Sequence, residues 1–123
     1  MLCSARYEAA VKSASSPSFL NGVPELLVMH ALREREMYGY ELVQAIRTAS
    51  CGEIAFAEGV IYPVLHLLER DGALTSRRQT VNGRSRVYYA LTPLGADRLA
   101  ALGTHWRRLN AAIHRILGEA RLA

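Results

Sequence analysis

Lysine is nearly missing from this 123-residue chain: Lys12 is the only one, against fourteen arginines. Cysteine is also scarce. Cys3 and Cys51 stand alone, without metal or redox spacing, which excludes a disulfide framework and fits a reducing compartment. No apolar run approaches the roughly eighteen residues of a membrane span. The N-terminus lacks a charged start followed by a continuous hydrophobic region. The expectation is a soluble, cytoplasmic protein with no membrane contact. His30, His66, His105 and His114 are scattered, and none has a ligand spacing to another or to a cysteine, so neither metal nor cofactor is expected. A nucleophilic serine context, a phosphate-cradling glycine loop and paired catalytic carboxylates are all missing. No residue is assigned as catalytic, and no enzymatic activity is expected.

What is present is enough for one domain with a core and too little for two ordinary ones. Half of the residues are hydrophobic, and the net charge is +4 with a pI near 9.4. Arginine suits bidentate contacts to phosphate and guanine, although genomic base composition produces the same bias.

The sharpest local signal is Asn82-Gly83 between two β-prone runs over 75–92. A type I′ turn needs two residues with positive φ, which these two tolerate best, so a hairpin is expected. With that turn Val81 faces Arg84, Gln79 faces Arg86 and Arg77 faces Tyr88, while Leu74, Tyr89 and Leu91 alternate onto the opposite face. Arg77, Arg84 and Arg86 thus share one side. Like charges gathered there repel one another and add nothing to a core, which points to an anionic partner outside the protein. The plainer alternative is a solvated charged loop.

Residues 1–22 read as an N-terminal arm, with a short helix over 2–12 and a loop over 13–18. Pro24, suited to a first helical turn, opens a helix expected to reach about Arg35, with Leu26, Leu27, His30 and Ala31 at helical spacing. A second helix, from about Tyr40 to Ala49, places Leu42, Val43 and Ile46 on one face. A third, from about Glu58 to Arg70, turns Ile61, Val64, Leu65 and Leu68 inward and stops at Asp71-Gly72. Pro63 suggests that this third helix starts irregularly or is delayed toward Ile61.

Three short helices and a β-hairpin are the element order of a winged helix-turn-helix, assigned here to residues 23–92. In that architecture the third helix enters the DNA major groove and the hairpin, or wing, reaches flanking backbone or minor groove. The fold class expected is mainly α with a small β-hairpin, followed by a long C-terminal dimerisation helix and tail over 93–123. Thr92-Pro93 is a cap followed by proline at the first helical position, opening a helix of about 39 Å. Along it Leu99, Leu102, Trp106, Leu109, Ile113 and Ile116 recur at spacings of 3, 4, 3, 4 and 3, the seam of a coiled coil between two copies. Packing onto the chain's own body is the alternative, and would ask for a broader apolar face. In a symmetric dimer two Trp106 indoles, flanked by Leu102 and Leu109, would form a flat apolar slot for a planar aromatic effector, or else simply pack as core.

The chain resembles the PadR family of bacterial transcriptional regulators over about residues 19–118. The resemblance rests on Met37-Tyr38-Gly39-Tyr40-Glu41-Leu42, on Ile61-Tyr62-Pro63 with Leu68-Glu69-Arg70-Asp71-Gly72, and on Arg86-Val87-Tyr88-Tyr89-Ala90-Leu91-Thr92. It implies a homodimer joined through C-terminal helices that binds a two-fold double-stranded DNA operator and represses stress or efflux genes until a small aromatic or drug-like ligand releases it. Tyr38 and Tyr40 match the family's aromatic pair around glycine, with Tyr40 the better contact. Tyr62 matches its recognition-helix tyrosine and Arg86 its basic residue before the wing tyrosines. Candidate DNA contacts are therefore Tyr40, Tyr62, Arg86 and Tyr88, joined by Glu58, Val60 and His66 on the third helix and by Arg77 and Arg84 on the wing. Two positions depart from the family pattern. Ala57 replaces a common serine-type cap, and Val60 replaces a frequent Thr or Ser, although valine can meet a thymine methyl. These departures leave open a second reading, a winged-helix protein-interaction module that no longer binds DNA.

Overall fold

The computed structural model describes residues 18–118, with four helices and a three-stranded antiparallel sheet among them. The expected arm helix over 2–12, the loop as far as Pro17 and the tail beyond Gly118 lie outside the described residues. Helix α1 spans Ser18–Ala31, strand β1 Met37–Tyr38, α2 Gly39–Ala49 and α3 Glu58–Arg70. Strands β2 (Leu74–Val81) and β3 (Arg84–Leu91) form the wing, and α4 runs over Pro93–Leu117.

The first helix differs from its sequence reading at both ends. It starts at Ser18, so Pro24 lies inside it rather than in its first turn. Proline is least disruptive in a first turn but is not confined there; inside a helix it forgoes one backbone bond. The helix stops at Ala31 because the next backbone bonds tighten, Leu32 N–H to Val28 and Met29 and Arg33 N–H to His30, and the Arg33 guanidinium takes the His30 carbonyl at 2.9 Å. Its inner face is also rotated from the expected one. Val28, Met29 and Leu32 are buried, Leu27 and Ala31 pack beside them, and His30 is exposed.

The other helices keep the expected faces. Leu42 and Ile46 of α2 and Ile61, Leu65 and Leu68 of α3 are buried, and they share a core with Met37, Ala73, Leu74 and Tyr89. The start of α3 is not delayed: the helix begins at Glu58 with Pro63 inside it. Ala57 is its N-cap and supplies no side-chain acceptor, while its carbonyl receives the N–H groups of Val60 and Ile61. At the other end Gly72 adopts φ 84° and the Ala73 N–H reaches back to Leu68. This left-handed residue lets α3 turn directly into β2.

The wing has the expected register, including Arg77 with Tyr88, Gln79 with Arg86 and Val81 with Arg84. Asn82 and Gly83 have φ of 52° and 79°, the two positive values a type I′ turn requires. The hairpin is not isolated, however. β1 adds a third strand with Met37 opposite Tyr89 and Tyr38 opposite Tyr88, giving the order β1-β3-β2. Two residues carry no periodic signal of their own, and only tertiary pairing makes them a strand.

Helix α4 is locked to this body at its first turn. The Thr92 hydroxyl accepts from Gly95 N–H at 3.0 Å and donates to the Gly72 carbonyl at 2.7 Å. Gly95 lies so close to Ala73 that a Cβ there would overlap the Ala73 carbonyl oxygen. One turn on, Arg98 bonds Glu25 of α1 at 3.0 Å and Asp71 after α3 at 3.3 Å. The apolar seam then divides. Leu99 and Leu102 pack against the chain's own core, Trp106 and Leu109 are half-buried, and Ile113 and Ile116 are 37% and 83% exposed.

Candidate nucleic-acid interface

The exposed side of α3 carries Glu58, Val60, Tyr62 and His66. Tyr62 and His66 lie one turn apart, with ring centroids 6.4 Å from each other. The Tyr62 ring lies over Gly39, where a Cβ would come within 2.6 Å of its hydroxyl oxygen. Glycine is needed here for space, so that the third helix can dock its tyrosine against the start of the second. Tyr40, which follows that glycine in the chain, is 53% exposed.

Tyr38 takes the other direction. It caps α2 from an extended conformation, and its backbone N–H donates to the Glu41 carboxylate at 3.2 Å. Its ring meets Tyr88 edge-on at 5.4 Å, and the Arg86 guanidinium lies 4.4 Å above it. Arg77 lies 5.3 Å over Tyr88, while its Nε–H donates to Glu36 Oε1 at 2.9 Å and a second N–H bonds the other carboxylate oxygen. The solvent side of the sheet is thus an interleaved row of two arginines and two tyrosines, closed by one carboxylate. Hydrogen bonding to Arg77 holds the Glu36 carboxyl below its ordinary range and raises Arg77 in turn. With a lowered folded value, Glu36 contributes to stability above the ordinary carboxylate range and loses that contribution as pH falls through the lowered value.

Of the nine candidate contacts, four lie exposed on α3, Tyr40 is exposed in the first turn of α2, and four lie on the wing. Arg84, at the wing tip, is exposed and has no ion-pair partner among the described residues. Arg86 and Tyr88 are half-buried in the row, and Arg77 is ion-paired. Reasoning from sequence placed three arginines on one face and missed Glu36, which lies 41 residues from Arg77 and carries no local signal. It also missed Arg98 and its two partners, for the same reason. Among the described residues no group of three His, Cys, Asp or Glu side chains is placed to hold a metal ion, and no helix is long and apolar enough to cross a membrane.

A three-helix body, an arginine-bearing wing beside an exposed third helix and a long trailing helix define a winged helix-turn-helix protein. The chain belongs to the transcriptional regulator PadR-like family, whose profile matches residues 28–101. It is 34% identical over 100 residues to transcriptional regulator Rv3488 of Mycobacterium tuberculosis, an alignment covering 81% of this chain and 88% of that one. Its fold is similar to a PadR family transcription regulator from hypervirulent Clostridium difficile R20291, with TM-score 0.66 and 28% identity over 78% of this chain and 99% of that one. It is likewise similar to smu.1704 from Streptococcus mutans UA159, with TM-score 0.68 and 30% identity over 79% and 89% of the two chains.

Proposed function

We propose that this transcriptional regulator acts as a homodimeric, sequence-specific DNA-binding repressor in the cytoplasm. The observation that carries the reading is a third helix that exposes Val60 and Tyr62, with Tyr40 exposed at the start of the second, in a fold whose wing presents arginine. Helix α3 enters the major groove, where Val60 meets a thymine methyl and Glu58 accepts from cytosine. Tyr40, Tyr62 and His66 reach phosphate or base edges, and the wing follows the backbone. Two copies pair through α4, using Trp106, Leu109, Ile113 and Ile116, with Leu99 and Leu102 at the inner end of the seam.

Selection from a random duplex pool by the purified protein tests this reading. The expected product is a two-fold sequence with half-sites about 34–36 Å apart, or a multiple of that. If no sequence is enriched, the chain is a protein-interaction module.

Release by a small aromatic effector completes the proposal. The slot is formed by paired Trp106 rings with Leu102 and Leu109, and a ligand that turns the paired helices shifts the half-site spacing. A tenfold loss of operator affinity needs only about 1.4 kcal/mol of differential binding. Planar aromatic compounds are expected to quench Trp106 fluorescence and weaken operator binding, and Trp106→Ala is expected to reduce the second effect in a protein that stays dimeric. An inducer equally active on that variant would place the effector site elsewhere.

A further inference from the structure

The arginines of the wing do not all face the same task. Arg84 at the tip carries no ion pair among the described residues. Arg86 lies over the Tyr38 ring, its guanidinium carbon 4.4 Å from the ring centroid, and carries no ion pair among the described residues. Arg77 is differently placed. Two of its N–H groups bond both oxygens of Glu36, and its guanidinium carbon lies 5.3 Å from the Tyr88 ring centroid. A phosphate approaching Arg77 would meet the Glu36 charge as well, so its net attraction there is small.

Glu36 immediately precedes β1, whose two residues pair with the middle strand of the sheet. β1 itself leads straight into Gly39, on which Tyr62 of α3 lies. Contacts therefore run without a break from the third helix, through Gly39 and Tyr38, to the wing. A strand of two residues makes few backbone bonds, and the side chains bridging it to β2 and β3 add to the core packing of Leu74 and Tyr89 in holding the wing to the helices.

We propose that Arg77 is a positioning residue whose partner is Glu36 rather than DNA phosphate, the pair fixing the wing against the third helix so that Arg84 and Arg86 meet the backbone in register. The proposal rests on the DNA-binding reading above. It runs against the usual effect of acidic residues near DNA, whose removal tightens binding by relieving repulsion.

The test uses the full-length protein and the duplex that the wild type enriches from a random pool. Fluorescence anisotropy across a salt series compares Glu36→Gln, Arg77→Gln, Arg84→Gln and the charge exchange Glu36→Arg with Arg77→Glu. Glu36→Gln and Arg77→Gln are expected to weaken binding about two- to fivefold, the range an exposed ion pair supports, without changing the salt slope. Arg84→Gln is expected to reduce that slope by about 0.9, one lost phosphate contact. The charge exchange is expected to restore affinity to within about twofold, because the pair is re-formed with its sign reversed. Tighter binding by Glu36→Gln, a smaller slope in Arg77→Gln, or no rescue by the exchange would each overturn the proposal, and the smaller slope would make Arg77 a phosphate ligand.

A second readout needs no DNA. Hydrogen exchange at the Met37 and Tyr89 amides, which face each other across β1 and β3, is expected to quicken in both single variants and to recover in the exchange. Unchanged exchange overturns the brace whatever the DNA results. Quickened and rescued exchange, in a protein that enriches no duplex, sustains the brace and overturns the DNA-binding reading instead.

Discussion

Replacing Ile113 and Ile116 together by glutamate is expected to leave a folded monomer that binds a two-fold operator at least about 100-fold more weakly. The two side chains are 37% and 83% exposed, so their loss removes little from the chain's own core. Leu117, 64% exposed, extends the same apolar end of α4. In a paired arrangement these residues would be covered, and four carboxylates would be forced together across the seam. The effect on DNA follows from avidity: a linked second head binds at high effective concentration, and a link of this kind is worth about 10²–10⁴ in affinity. Sedimentation at micromolar concentration is the check, with circular dichroism to show the fold retained. A variant that remains a native dimer would move the interface off this end of the helix.

Two glycine-to-alanine changes in the same helix are expected to have opposite signs. At Gly103 a Cβ would meet only the end of the Arg107 side chain, at 3.3 Å, and that end can move aside. Helix propensity then decides, and Gly103→Ala should stabilise by up to about 1 kcal/mol. At Gly95 the same propensity gain is opposed by overlap with the Ala73 carbonyl and by a Leu91 methyl carbon at 2.7 Å. A backbone carbonyl cannot swing away as a guanidinium can. Overpacking of this kind costs about 1–3 kcal/mol, and relief of the overlap requires the joint between α4 and the wing base to open. Net of the propensity gain, Gly95→Ala should therefore destabilise by up to about 2 kcal/mol, lowering the melting temperature by up to about 10 °C, and it should disturb the Thr92 cap that bonds both Gly72 and Gly95. Urea denaturation of both variants checks the pair. Equal stabilisation by the two would mean that the joint has slack.

The importance of that joint is mechanical. Thr92, Gly95 and Arg98 tie the long helix to the α3–β2 turn and, through Glu25, to α1. With its first two turns tied to the α3–β2 turn and to α1, α4 would carry the proposed rotation against a partner's helix to the third helix as a rigid lever. Effector control by the route proposed here depends on this stiffness. A flexible link at Thr92-Pro93 would absorb the motion.

Features written in contiguous residues were legible in the sequence. Asn82-Gly83 set the wing turn and, through the two-residue period, every partner along it. Asp71-Gly72 ended the third helix, and Thr92-Pro93 opened the fourth. Features written across distance were not. β1 exists because Met37 and Tyr38 find β3 half a chain away, and Glu36 finds Arg77 in the same way. The first helix was misphased because Leu26, Leu27, Val28 and Met29 are all apolar, so periodicity alone does not choose which of them face inward. In the site, exposure and pairing separated residues that the sequence had grouped: Arg77 carries a partner carboxylate, and Arg84 stands at the tip. The seam likewise read as continuous, yet Leu99 and Leu102 are taken up by the body of the same chain, and only the outer part is open.

Binding of the wild-type protein to its selected duplex, followed by anisotropy between about 50 and 200 mM salt, tests the central claim most directly. Two protomers per duplex and a preference of at least about 10³ over random DNA are expected. Affinity is expected to fall linearly with salt on logarithmic axes, with a slope made smaller by loss of Arg84. Equal affinity for selected and random duplexes, or binding indifferent to both salt and Arg84, would contradict it.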